Sequence, residues 1–143
     1  MILIDTNLLL YASISDFAQH APAKRWLNEQ FSGTERIGIP WHSVLGYVRL
    51  ASQKTVFKKG PSVNEAWSVA RKWLALGNVW VPQPTERHGD VLNDLLVSNE
   101  VSSRFIMDLH LAALAIEHDL TVCSNDSDFA RLANVRWINP LVA

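Results

Sequence analysis

The chain opens on an apolar run, residues 1–4, that meets Asp5-Thr6-Asn7 and reads as a buried strand ended by polar residues. Over residues 16–30, Ala23, Trp26 and Leu27 recur at helical spacing among charges, and Gly33 closes the segment. Ile37 and Ile39 alternate within residues 36–40, a short strand that Pro40 stops. Residues 41–52 place Val44, Leu45, Val48 and Ala51 on one helical face, and residues 54–61 form a loop. Ser62, with Glu65 three residues on, is a capping box. It starts a helix striped by Ala66, Trp67, Ala70, Trp73 and Leu74 and ended by Gly77. Residues 79–81 make a strand broken off by Pro82 and Pro84. Helices over 85–99 and 102–118 follow, then a strand over 120–124, a short helix over 126–132 and a last strand over 135–138. Such alternation predicts an α/β fold with a mainly parallel central sheet and helices on both faces.

Composition narrows the class. At 143 residues, 48% hydrophobic and 19% charged, the chain suits one domain over residues 1–143 with its own core, not a disordered polymer. No apolar run approaches the roughly 20 residues of a membrane span, and no basic leader precedes the first strand. A cytoplasmic protein away from membranes is expected. The net charge of −1 does not argue for a binder that holds nucleic acid by bulk positive charge. A nuclease is compatible with it, because divalent ions add charge that the count omits. The lone Cys123 reads as a small core residue. Trp26, Trp67 and Trp73 sit at core spacing. His20, His88, His110 and His118 show no metal-ligand spacing that fits the helices, so capping or surface roles are expected.

In open α/β sheets, ligands gather outside the carboxyl ends of the strands. Two strands here end in acidic clusters, Asp5-Thr6-Asn7 and Ser124-Asn125-Asp126-Ser127-Asp128. If these strands are neighbours, Asp5 and Asp126 meet, and Asp108 can join them from the 102–118 helix. Taken singly, such an aspartate is often only a cap or turn residue. Asp126 and Asp128 could divide cap and ligand roles either way. Together, converging carboxylates repel one another unless a hard cation such as Mg²⁺ or Mn²⁺ sits among them. Such an ion can activate water for in-line attack on a phosphodiester. Thr6, Asn7 and Ser124 are the supporting polar residues.

The stretch Ile2-Leu3-Ile4-Asp5-Thr6-Asn7-Leu8-Leu9-Leu10-Tyr11-Ala12 resembles the opening of PIN-domain ribonucleases of the VapC toxin type. Asp108-Leu109-His110-Leu111-Ala112-Ala113-Leu114-Ala115, on to Glu117-His118, resembles that family's second acidic helix. Ser124-Asn125-Asp126-Ser127-Asp128-Phe129-Ala130-Arg131 resembles its Asp-x-Asp-Phe turn. Pro40-Trp41 to Val48-Arg49, Pro84-Thr85 to His88 and Trp137-Ile138-Asn139-Pro140 extend the likeness. The resemblance implies a PIN-like domain that cleaves RNA with Mg²⁺ or Mn²⁺. It makes Asp5, Asp108 and Asp126 the metal ligands, with Asp128 beside them as a further catalytic acid. It also implies a toxin–antitoxin system with a cognate antitoxin as partner, and a homodimer is expected. The family usually carries a glutamate on the helix after the second strand. Here the 41–52 helix has no acid, and His42 and Gly46 are the two positions where one is expected. Gly46, three residues before Arg49, is the preferred place to restore it. The rival reading is a degenerate PIN domain that binds RNA or a protein without cleaving.

Overall fold

The computed structural model describes residues 1–142. Strands β1 (Ile2–Ile4), β2 (Ile37–Gly38), β3 (Val79–Trp80), β4 (Thr121–Cys123) and β5 (Trp137–Ile138) form one sheet. Their order is β3-β2-β1-β4-β5, and every neighbouring pair is parallel. Register sets Ile4 beside Cys123 and Leu3 beside Gly38. Alternation along the strands feeds two cores. Ile4, Ile37 and Cys123 face one, while Leu3 and Val122 face the other. Helices α1 (Thr6–Ser13), α2 (His20–Ser32), α3 (Trp41–Ala51) and α4 (Val63–Leu74) cover the first face. Helices α5 (His88–Ser98) and α6 (Ile106–Glu117) cover the second. The expected α/β architecture is therefore present.

Connectivity places the site. From β1 the chain steps outward through β2 to β3, then crosses back to lay β4 on the other side of β1. The carboxyl ends of β1 and β4 flank a crevice at this reversal of strand order, where open α/β sheets bind their ligands.

Helix α1 is absent from the sequence-based expectation. Leu8, Leu9, Leu10 and Ala12 are all buried, so the segment shows no one-sided stripe. Asp5 starts this helix by accepting the Thr6 N–H. Helix α2 begins at His20, because Phe17 turns inward and packs edge-on against Tyr11 and Phe57, at 4.9 and 5.5 Å. The 102–118 segment divides into a helical turn at Ser103–Phe105 and α6, and the 126–132 segment is a tight turn at Ser127–Arg131.

Gly46 marks the close approach of α3 to α1. A Cβ there would stand 2.6 Å from Thr6 Oγ1 and 3.2 Å from Thr6 Cγ2. Thr6 is held in place, since its hydroxyl donates to the Ser43 carbonyl at 3.2 Å. Gly46→Ala gains helix propensity of about 0.5–1 kcal/mol. It loses about 1–3 kcal/mol to overpacking. The expected net effect is a fall of several degrees in Tm, largely restored in the double variant with Thr6→Ala. A melting curve showing Gly46→Ala more stable than the parent would refute this close-packing account.

Candidate active site

Asp5 extends the β1–β4 ladder by one residue, its N–H donating to the Cys123 carbonyl at 3.0 Å. Its carboxylate is buried. It accepts the Thr6 N–H at 2.7 Å, the Ser124 hydroxyl at 2.7 Å and the Asn7 amide at 3.4 Å. Ser124, directly after β4 and fully buried, also accepts from Asn7 Nδ2 at 3.1 Å and from the Asp126 N–H at 3.0 Å. Asn7 Oδ1 in turn accepts the Asn125 N–H at 3.1 Å, and Asn125 Oδ1 accepts from Asn139 Nδ2 at 3.1 Å. Asn7 and Ser124 thus brace Asp5, whereas the Thr6 side chain braces α3. Asn125 and Asn139 extend the network beyond the residues expected from sequence.

Asp126 caps the following turn by accepting the Asp128 N–H at 2.9 Å. Asp128 is exposed and pairs with Arg131 at 3.6 Å. The cap therefore belongs to Asp126, and Asp128 is the outer acid. Asp108 lies half-buried in the first turn of α6. Burial, then the charges of Asp5, Asp126 and Asp128, push its carboxyl up to about 7. Asp5 is also raised, chiefly by burial. Hydrogen bonds from Ser124 and Thr6 and the field of His42 oppose that rise, and Asp126 adds to it. Asp108 thus lies in the field of the other three carboxylates, and Asp5 in that of Asp126. Among the described residues, Asp5, Asp108 and Asp126 have no ion-pair partner. Also among the described residues, no three His, Cys, Asp or Glu side chains are grouped to hold one metal ion directly. The oxygen-only donors and their uncompensated charge nonetheless match what a hydrated hard cation needs.

A second constellation lies alongside. Glu117 accepts from the Thr85 N–H at 2.8 Å, from the Thr85 hydroxyl at 2.6 Å and from His88 Nδ1. Burial raises Glu117, but these hydrogen bonds outweigh it and hold the carboxyl below its usual range. His88 Nε2 meets His110 Nδ1 at 2.9 Å, and the His110 ring lies 6.1 Å from that of His42. Burial and the Arg49 charge lower His42 against the opposing pull of Asp5. The capping and surface roles expected of the histidines suit His20 and His118, which bond the Tyr11 and Gln83 carbonyls. They do not suit His88 and His110, which are joined only by the pairing of α5 with α6. No linear spacing shows that pairing. Thr85 is spent on Glu117, and α5 accordingly starts at His88.

Residues 2–135 match the family described as PIN domain. The chain belongs to the PIN-domain family. It is 38% identical over 140 residues to Ribonuclease VapC37 of Mycobacterium tuberculosis, covering 98% of this chain and 97% of that protein. It is 37% identical over 141 residues to Ribonuclease VapC33 of the same organism, covering 99% of each. Among solved structures, Mycobacterium tuberculosis VapC20, described as a sarcin–ricin loop cleaving toxin, shares the fold. Its TM-score is 0.64 at 19% identity, over 95% of this chain and 99% of that one. VapBC2 of Rickettsia felis, bound to a DNA fragment from its promoter, gives a TM-score of 0.64 at 18% identity, over 97% and 98% of the two chains.

The PIN-domain carboxylates carry a stability cost without metal. Asp108 ordinarily titrates at 3.8 but is pushed up to about 7 in the folded chain. Stability present at acid pH is therefore lost as pH rises from about 4 through about 7, and none returns above that. Asp108→Asn removes the loss. Thermal melts in a chelator should show the variant several degrees above the parent at pH 8, with the two converging near pH 4. Coincident curves at pH 8 would contradict the crowding of charge at Asp108.

Proposed function

We propose that this chain is a metal-dependent endoribonuclease, the toxin of a toxin–antitoxin pair, in which Asp5, Asp108 and Asp126 hold Mg²⁺ or Mn²⁺. The observation that carries the reading is the meeting of these three acids, from three separate segments, with no ion-pair partner for any of them among the described residues. Relatives named Ribonuclease VapC along nearly the whole chain support it. A bound divalent ion supplies Lewis acidity and a water of lowered pKa. The chain's own groups do the rest. Ser124 and Asn7 fix the Asp5 carboxylate in one orientation. Asp128 adds a fourth acid at the rim, restrained by Arg131. Arg49, near enough to His42 to lower it, offers a cation to a backbone phosphate.

Regulation follows from the same charge. No helix among the described residues is long and apolar enough to cross a membrane, and a cytoplasmic site of action is part of the reading. The cognate antitoxin would set a basic side chain against the carboxylates and cover apolar surface on α3. There Trp41 and Leu45 are exposed, and Trp41 stacks on Trp67 at 6.5 Å. Helix α2 exposes no large apolar residue to the same degree. Self-association as a homodimer belongs to the same reading. The lack of an acid on α3, where His42 stands, favours the alternative of a PIN domain that binds without cutting. Incubation of RNA with Mn²⁺ and with chelator decides between them.

Two variants test the assignment. Asp5→Asn keeps the volume and an oxygen for the Thr6 N–H, so the fold should persist while cleavage falls by about a hundredfold or more. Asp5→Ala should also lose the cap of α1, about 1 kcal/mol of stability. Wild-type cleavage by purified Asp5→Asn would end the proposal. Restoring an acid on α3 should strengthen divalent binding. His42 faces the site, so His42→Glu is expected to raise cleavage at low Mg²⁺ about tenfold, equivalent to about 1.4 kcal/mol of barrier. Gly46, preferred on sequence grounds, is unsuited because its Cβ would strike Thr6. Gly46→Glu should lower stability without the gain. Kinetics over a Mg²⁺ series separate the two, and a stable Gly46→Glu variant with raised activity would reverse the choice.

A further inference from the structure

The fold does not hold the three acids equally. Asp5 is buried and accepts three hydrogen bonds. Asp108 rises from α6, whose middle is packed into the second core. Asp126 stands on a turn, and its carboxylate accepts the Asp128 N–H of that same turn. Its direction is therefore set by the backbone of Ser124 and Asn125 just before it, where only φ and ψ are soft.

Much of the hold on that backbone comes from β5 and the residues after it. The Ser124 N–H donates to the Ile138 carbonyl at 3.1 Å, and the Trp137 indole N–H donates to the Ser124 carbonyl at 3.1 Å. Asn139 then reaches Asn125, its Nδ2 donating to Asn125 Oδ1 at 3.1 Å. The orientation of this amide follows from its other end. The Leu141 N–H can only donate, so Asn139 turns Oδ1 toward it, at 3.1 Å, and Nδ2 toward Asn125. Asn139 is itself anchored. Its carbonyl accepts the Val142 N–H at 3.3 Å, and Leu141 packs on the first core. From the opposite side, the Asn125 N–H donates to Asn7 Oδ1 at 3.1 Å, and Asn7 is bonded to Asp5. Asn125 is thus gripped between α1 and the turn after β5, one residue before the third acid.

We propose that Asn139 is a positioning residue for the metal site. By holding Asn125 it fixes the direction in which Asp126 faces the crevice, and so sets divalent affinity without touching the ion. The proposal rests on the ribonuclease reading above and adds a residue to its site. Tying down the turn after β5 is a separate role, carried by the opposite end of the same amide through Leu141. Asn125→Ala removes the first role alone, because the Asn125 backbone keeps its bond to Asn7 and Asn139 keeps Leu141.

Asn139→Leu, Asn125→Ala and the double variant are compared with the parent. Mn²⁺ binding is followed without RNA by the EPR signal of free Mn²⁺. Each single variant should bind Mn²⁺ about tenfold more weakly, the lower end of what losing a supporting hydrogen bond costs a metal site. The double variant should be no weaker than either single one, since both break the same link. In the metal-free protein, the Asp126 and Asp128 N–H groups should exchange with solvent about tenfold faster in each single variant, with a smaller change in β1. Parent-like Mn²⁺ affinity in Asn125→Ala overturns the proposal, even if Asn139→Leu fails to fold. So does a double variant whose loss is the product of the two single losses, because Asn139 would then act by another route. A lowered Tm in Asn139→Leu with unchanged Mn²⁺ affinity overturns it too, and leaves Asn139 only the tie to Leu141. A parent that binds no Mn²⁺ refutes the metal-dependent reading instead, and exchange at Asp126 and Asp128 then decides whether Asn139 holds the turn.

Discussion

The hydrogen bond from the buried Ser124 hydroxyl to Asp5 joins the two strand ends on which the site is built. β1 and β4 are adjacent and parallel, so their carboxyl ends lie level, with Ile4 beside Cys123. Each strand then stops at a polar residue, and the two residues bond to each other across the crevice. Asp5 gains three donors in a place where an unsatisfied carboxylate would be costly. Ser124 uses its remaining capacity on Asn7 and on the Asp126 backbone. One buried hydroxyl therefore orients both the first acid and the turn that presents the third. Cys123, immediately before it, is fully buried with its thiol pushed up to about 12, and contributes packing alone.

Around that bond the fold concentrates negative charge where it is least well solvated. The sheet's second face supplies Asp108 from a helix anchored by its middle, with Leu109, Leu111, Ala112, Ala113, Leu114 and Ala115 in the core. A helix so committed to packing cannot turn its acid away from the others. The repulsion is held in place by the hydrophobic cores rather than relieved by side-chain motion. Functional sites commonly store such opposition at the expense of stability.

Much of this was legible in the sequence, for identifiable reasons. β1 and β4 announce themselves as short apolar runs ending in acids, and Ser62 with Glu65 forms the capping box that their spacing predicts. What stayed hidden depends on contacts between distant segments. Helix α1 is buried all round, so amphipathic periodicity has nothing to register. Gly46 looks like an ordinary helix glycine until Thr6 is seen against it. His88, His110 and Glu117 sit on two helices whose mutual register is set by packing. The assignment of the cap to Asp126 rather than Asp128 required the turn itself.

The pairing of the first strand with the fourth also constrains the order of events in the cell. Asp5 and Ser124 are 119 positions apart, so the central ladder closes a loop of most of the chain. At a synthesis rate of about 5–20 residues per second, the first strand waits on the order of ten seconds for its neighbour. During that interval β1 and its first acid exist without the element that completes the crevice. Nascent or prematurely terminated chains ending before β4 cannot assemble the carboxylate cluster. A destructive activity is thereby withheld until translation is nearly finished, with long-range topology acting as a timer that needs no additional protein.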